Sequence, residues 1–183
     1  MQINKIIFSD IKSPLGPMIA GASRNGACFL EWHDRGGIDR IKQRVLKRYG
    51  GPLEPGSNKH LVKLESEMNK YFLGKLKKFT VKIDVKGTAF QEKVWQILLG
   101  IPYGEIYSYG RIAELLKNPG ASRAVGSANG ANYLSIVIPC HRVIQSDGNL
   151  RGYGGKLWRK KYLLELEKGL KPELPAQVQS FQF

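Results

Sequence analysis

Ile138-Pro139-Cys140-His141-Arg142-Val143-Ile144 sets a thiol, an imidazole and a guanidinium side by side inside an otherwise apolar run. A free thiol has a pKa of about 8.5 and is only a few per cent thiolate at neutral pH, so a nucleophilic cysteine needs a base or a positive charge beside it. His141 and Arg142 are candidates for both. The apolar run predicts a buried strand with the three polar side chains at its end. Taken alone, Cys-His-Arg equally describes a strand-end cysteine followed by a solvated basic pair.

Cys28 and Cys140 are the only cysteines. A reducing compartment disfavours their one possible pairing, so both read as free thiols. Cys28 lies in Ala27-Cys28-Phe29-Leu30 with no charged neighbour and reads as core. Two cysteines with His33, His60 and His141 match no ligand spacing for zinc, so neither a metal nor another cofactor is expected.

The elements that must position these groups belong to a chain of 183 residues, 42% hydrophobic and 24% charged, the composition of a soluble globular protein with one large or two small domains. No basic-then-apolar leader and no apolar run of about 18 residues is present, so a cytoplasmic address is expected and a membrane span is not. The net charge of +14 and pI near 9.8 call for a polyanionic partner. Between Arg111 and Lys161 stand nine cations (Arg111, Lys117, Arg123, Arg142, Arg151, Lys156, Arg159, Lys160, Lys161) against Glu114 and Asp147, a local +7 around the thiol. These charges are spread over several short elements rather than one amphipathic helix, which favours nucleic acid over a membrane surface.

The first 85 residues read as an α/β scaffold. Asn4–Ser9, Pro17–Ala22 and Ala27–Trp32 look like strands, separated by turns at Ser13-Pro14-Leu15-Gly16 and Arg24-Asn25-Gly26. Ile38, Ile41, Val45 and Tyr49 follow helical spacing, as do Leu61, Leu64, Met68, Tyr71 and Phe72. Phe79, Val81, Ile83 and Val85 alternate as in a strand, and Gly50 to Ser57 reads as a loop. From residue 86 the pattern changes to short helices. Thr88 and Gln91 form a capping box for a helix carrying Phe90, Val94, Trp95 and Leu98, which stops at Gly100-Ile101-Pro102. A second helix over Ser108 to Lys117, with Ile112, Ala113, Leu115 and Leu116 on its apolar side, ends at Asn118-Pro119-Gly120. A third, Ala121 to Asn129, follows at once, which makes a helix-turn-helix candidate. Apart from Arg123 and Val125 its first seven positions are Ala, Gly or Ser, so it could enter a narrow groove with Arg123 as a probe, although small residues also serve tight helix packing. A last helix spans about Leu157 to Lys168, stopped by Gly169, and 171–183 reads as a tail.

Together these motifs resemble the O6-alkylguanine-DNA alkyltransferase family. The resemblance rests on Ile138 to Val143, on Ser122-Arg123-Ala124-Val125-Gly126, on Tyr107-Ser108-Tyr109, and on Gly152-Tyr153-Gly154-Gly155 leading to Leu163-Leu164-Glu165-Leu166-Glu167. It covers about Phe90 to Gly169, and more loosely the first half through Ser13 to Pro17. It implies an α+β fold, with a ribonuclease H-like N-terminal domain over 1–85 and a helical, winged-helix-like C-terminal domain with a helix-turn-helix over 86–170.

The resemblance further implies that Cys140 accepts the alkyl group in a single irreversible turnover. His141 would take the thiol proton through a water, and Glu167 would orient His141. Asn132 would tie the recognition helix to the active-site turn, and Tyr109 would crowd the target phosphate and hydrogen-bond the leaving guanine. Arg123 would fill the vacated stack, with Ser122, Ala124 and Gly126 against DNA. Val143, Tyr153, Gly154, Gly155 and Lys160 would form the guanine pocket. The partner implied is double-stranded DNA containing O6-alkylguanine, with O4-alkylthymine a second candidate adduct, and the chain acting as a monomer. Because O6 lies in a stacked duplex, the base must be flipped out. A helix-turn-helix alone predicts major-groove docking, whereas the family docks in the minor groove. Two departures stand out. Asn132-Tyr133-Leu134-Ser135 replaces a proline-rich loop, which predicts a less rigid loop, and Gly154 replaces a serine, which leaves a backbone donor toward the guanine oxygen. Damage-sensing relatives without transfer activity lack the cysteine, a winged-helix regulator would prefer one DNA sequence, and a Cys-His hydrolase would draw its base from a distant position.

Overall fold

A computed structural model describes residues 5–176. Asn4 of the first expected strand and residues 177–183 of the expected tail lie outside the described residues. Among those described, one compact unit runs up to Lys86 and takes in Leu174 onward, and the other covers Gly87–Glu173.

In the first unit a four-stranded sheet has the order β3-β2-β1-β4. β1 (Ile6–Ile11), β2 (Met18–Ala22) and β3 (Ala27–Trp32) form an antiparallel meander. Ser13 closes the first turn, its hydroxyl donating to the Gly16 carbonyl at 2.6 Å. At the second, a Cβ on Gly26 would lie 2.5 Å from the Lys82 carbonyl oxygen, so only glycine fits. α1 (Ile38–Tyr49) packs on β3 through Ile41, Val45 and Tyr49, and α2 (Lys59–Phe72) covers the sheet with Leu61, Leu64, Met68 and Tyr71.

Two expectations fail in this unit. The stretch read as a loop contains β4 (Leu53–Pro55), parallel to β1 with Ile6 opposite Leu53. Three residues flanked by glycine and proline are too few to show alternation. Conversely, Phe79 to Val85 is no strand and makes one bridge, Ile83 with Ala27. The amide groups of Thr80 and Val81 donate instead to the Glu67 carboxylate at 2.9 and 3.0 Å, so they are lost to any ladder. Cys28 is core as expected, and burial pushes its thiol up to about 11.

The second unit opens with α3 (Ala89–Leu99) behind the Thr88–Gln91 capping box, burying Val94, Trp95 and Leu98. β5 (Tyr107–Ser108) leads into α4 (Tyr109–Leu115), capped by the Ser108 hydroxyl, which accepts from the Arg111 amide at 3.0 Å. The apolar side of α4 is narrower than its sequence suggests, since Leu115 is exposed. A 3₁₀ turn (Pro119–Ala121) joins it to α5 (Ser122–Gly130), and both α3 and α4 pack on α5.

Ile138 to Ile144 is buried but is not a strand. Cys140–Arg142 form a 3₁₀ turn, followed by the two-residue β6 (Val143–Ile144), which pairs parallel with β5. Pro139 has no amide hydrogen to give a ladder, and the Cys140 and Arg142 amides turn back to Ile138 and Pro139 at 2.8 and 3.0 Å. The run is apolar because protein surrounds it. α6 (Leu157–Glu167) packs on this turn and ends before Gly169, whose φ is +76°.

Thr88→Ala removes a side-chain cap and should lower stability by about 1 kcal/mol. Gly26→Ala, which drives a methyl into backbone, should cost more, and urea denaturation of the two variants checks the order.

Candidate active site

Cys140 sits on the 3₁₀ turn and is 5% exposed. Asn132, just beyond α5, holds it in place. Its Nδ2 donates to Cys140 Sγ at 3.1 Å and to the Ile138 carbonyl at 3.0 Å, while its Oδ1 accepts from the Leu134 amide at 3.0 Å. Asn129, inside α5, donates to the Cys140 carbonyl at 3.4 Å. Two asparagines therefore connect α5 to the turn. Between them and the turn, Ile136 is buried with φ of +71°, a conformation that strains a β-branched residue.

His141 is wholly buried, as is the side chain of Glu167 at the end of α6. His141 Nε2 lies 2.8 Å from Glu167 Oε1. Arg142 forks onto the same carboxylate, Nε to Oε2 at 2.8 Å and Nη2 to Oε1 at 2.9 Å, and its Nη1 donates to the Ile101 carbonyl at 2.6 Å. The Gly104 amide adds a further donor to Oε2 at 3.2 Å. Burial would raise the Glu167 pKa, but the hydrogen bonds and charges of His141 and Arg142 outweigh it and hold the carboxyl well below the usual range. Burial pushes His141 below its ordinary value, and Glu167 only partly opposes this. The imidazole is therefore neutral. An ionised carboxylate only accepts, so the proton sits on Nε2. Among the described residues Nδ1 meets no hydrogen-bond partner and keeps its lone pair. The solvated basic pair suggested by the sequence is thus excluded, and Arg142 serves Glu167.

Lys160, on α6, is fully buried and donates from Nζ to the Val143 carbonyl at 2.7 Å and the Arg151 carbonyl at 3.1 Å. Burial pushes its pKa down, partly opposed by Cys140. It fixes β6 to the loop carrying Tyr153, Gly154 and Gly155, of which Gly155 is buried, Tyr153 half-buried and Gly154 exposed. Tyr109, the first residue of α4, is half-buried. Its pKa is raised by burial and then by Cys140, with an Asn129 hydrogen bond opposing. A Cβ on Gly126 would meet the Tyr109 ring at 3.8 Å, and one on Gly152 would meet its hydroxyl at 3.9 Å.

α5 turns Val125, Ala128 and Asn129 inward and exposes Arg123, Ala124, Ser127 and Gly130, with Ser122 and Gly126 half-buried. Trp95 Nε1 donates to the Ala128 carbonyl at 2.9 Å and its ring meets Tyr133 edge-on at 5.7 Å. Packing of the buried Tyr133 thus supports the loop that lacks prolines. Three of the nine cations counted around the thiol, Arg142, Arg159 and Lys160, are buried, so less of that charge faces solvent than the sequence suggests. Among the described residues no His, Cys, Asp or Glu cluster could hold a metal, and no helix is long and apolar enough to cross a membrane. Sequence reasoning missed Asn129, Trp95, Gly104 and the role of Arg142. Only Gly104 carried a local signal, a glycine in a Pro-Tyr-Gly turn, where its φ is +81°.

Residues 89–169 match the family described as 6-O-methylguanine DNA methyltransferase, DNA binding domain. A methylated-DNA–protein-cysteine methyltransferase of Mycobacterium leprae is 46% identical over 156 residues, 85% of this chain and 88% of its own length. The chain belongs to the methylated-DNA–protein-cysteine methyltransferase family. A member from Mycobacterium bovis is 56% identical over 106 residues, and that match spans 58% of this chain and 64% of the relative. The structure of Mycobacterium tuberculosis OGT in complex with DNA superposes with a TM-score of 0.77 at 39% identity, covering 96% of this chain and 99% of that one.

Acid should destabilise the second unit from two sources with the same sign. The unfolded chain protonates His141 below about pH 6.5 while the fold keeps it neutral, so stability falls as pH drops through that value. Glu167 contributes stability above its unfolded pKa that is lost as pH falls toward its depressed folded value. Glu167→Gln strips Arg142 of its counter-charge, at a cost of about 3–5 kcal/mol, and should remove the part of the acid limb below about pH 4.3 while the loss near about pH 6.5 remains. Urea midpoints between about pH 2 and 8 measure both.

Proposed function

We propose that this family member repairs DNA by moving the O6-alkyl group of guanine onto Cys140, once per molecule. The observation that carries the reading is the geometry at His141, bound through Nε2 to Glu167 and, among the described residues, with no hydrogen bond at Nδ1, on the residue next to a sulfur held by Asn132.

His141 Nδ1 takes the Cys140 proton through one water. The imidazolium formed is stabilised by Glu167, whose charge Arg142 otherwise balances. The thiolate attacks the alkyl carbon, so the S–C bond forms as the C–O6 bond breaks and the electron pair passes to guanine. Tyr109 offers its hydroxyl hydrogen bond to the departing base. Lys160 holds Val143 and the Tyr153–Gly155 loop as the walls of the pocket, with main-chain groups of Cys140, Val143 and Gly154 on the guanine edge. The product is a thioether, and no second nucleophile stands ready to remove it, so the molecule is consumed.

The alkyl carbon cannot be reached within the stack, so the base is flipped. The exposed stripe of α5 enters the minor groove with Ser122, Ala124 and Gly126 close to the backbone and Arg123 in the vacated stack, where a guanidinium can stack and hydrogen-bond at once. In this reading residues 1–85 are the ribonuclease H-like domain, 86–170 the winged-helix-like domain and 171–183 a tail. The protein acts as a monomer on double-stranded DNA in the cytoplasm, with O4-alkylthymine as a second adduct.

Cys140→Ala should abolish transfer and leave duplex affinity nearly unchanged, because phosphate contacts dominate binding. After incubation with O6-methylguanine DNA, the tryptic peptide containing Cys140 should gain one methyl group, and a gain on the Cys28 peptide instead would refute the assignment. Arg123→Ala should slow repair of duplex by tenfold or more, about 1.4 kcal/mol, while reaction with free O6-benzylguanine stays at the wild-type rate. Equal slowing of both substrates would place Arg123 in the chemistry or in folding.

A further inference from the structure

Most of the net charge lies outside the unit that carries Cys140. Up to Lys86 there are seventeen Lys and Arg against eight Asp and Glu. α1 concentrates it. With Ile41, Val45 and Tyr49 buried, at about 100° per residue Arg40, Arg44, Lys47 and Arg48 fall within roughly 100° of arc on one flank. Asp39, the one acid of the helix, falls on the other flank.

This arrangement works against the helix. Arg40, Arg44 and Arg48 stand at i, i+4 and i+8, where like charges repel. The helix dipole favours Lys47 and Arg48 in the last turn but disfavours Arg40 in the first. Nor do acids neutralise the flank, since Arg40, Arg44 and Lys47 have no carboxylate partner among the described residues. Arg48 donates to the Lys86 carbonyl, and Lys86 Nζ lies 4.4 Å over the Tyr49 ring, which brings a further cation to the end of the stripe. The apolar face of α1 is already used by its own unit, so a bilayer has nothing to take up. Three of the four are arginines, whose planar forks match phosphate. Steps of four residues advance about 6 Å along the helix, close to the spacing of successive phosphates on one strand.

We infer that this flank of α1 is a second contact to the phosphate backbone of duplex DNA, additional to α5 and indifferent to sequence. The inference rests on the reading of the chain as a DNA alkyltransferase. It gives the protein a hold on undamaged duplex that needs no base in the pocket.

The test compares full-length R40E/R44E/K47E with a control of equal charge change, K59E/K70E/K77E, in fluorescence anisotropy with undamaged duplex across about 50 to 200 mM salt. The α1 variant should bind at least tenfold more weakly at about 100 mM salt, with a log–log salt slope shallower by about 2 to 3, while the control changes less than threefold. Both should react with free O6-benzylguanine at the wild-type rate. The neutral R40Q/R44Q/K47Q should show an intermediate loss of affinity and melt no lower than wild type, which guards against misfolding. Unchanged affinity and slope in the α1 variant would make the flank solvated surface. Equal loss in the control would assign the effect to net charge alone. Wild-type duplex binding with lost binding to a polyglutamate peptide would make it a site for an acidic protein; each of these three results overturns the inference. If wild-type protein fails to take up methyl from O6-methylguanine duplex, the alkyltransferase reading falls instead, and the slope comparison still stands.

Discussion

An ionised Glu167 is the constraint on which the second unit depends. A carboxylate with a wholly buried side chain is costly unless it is surrounded by donors. Here the donors come from two separate segments, Gly104 and His141 with Arg142, while the helix that carries Glu167 delivers the acceptor. Satisfying that one group fixes where α6 ends, how the Cys140–Arg142 turn lies and which nitrogen of His141 carries a proton. Folding and chemistry share the same hydrogen bonds.

A second set of contacts couples the thiol to the exposed helix. Asn129 and Asn132 reach from α5 and its end to the Cys140 carbonyl and sulfur, and Trp95 holds the Ala128 carbonyl. The same helix that turns a thin, polar stripe to solvent is therefore rigidly registered to the reactive atom. In the proposed reaction this matters because a small error in placing the base behind the sulfur is costly in rate.

Much of this was legible in the sequence, for physical reasons that differ by element. β2 and β3, buried at every position, show as short apolar runs bounded by turns, α1 and α2 follow from periodicity because each has one face buried, and the capping box at Thr88 is a local signature. Cys140, His141 and Arg142 stand together in the chain, whereas Glu167 was reached only through family resemblance, since 25 residues separate it from Arg142. Main-chain donors such as Gly104 leave almost no mark on a sequence. β4 is too short to show a period. Ile138 to Ile144 misleads because burial on all sides looks like a central strand, and Phe79 to Val85 misleads because Glu67 diverts its amides. Charge was misread in place rather than amount, as several cations near the thiol are interior and the basic stripe of α1 lies elsewhere.

Both thiols of this chain are buried, so depth does not tell them apart. The sign of the neighbouring charge does. Cys28 is raised by burial and faces the Asp84 carboxylate, while Cys140 lies within the field of the Lys160 ammonium and accepts a hydrogen bond from Asn132. Two sulfurs of like depth thus stand in unlike electrostatic surroundings, one beside a carboxylate and the other beside an ammonium group and an amide donor.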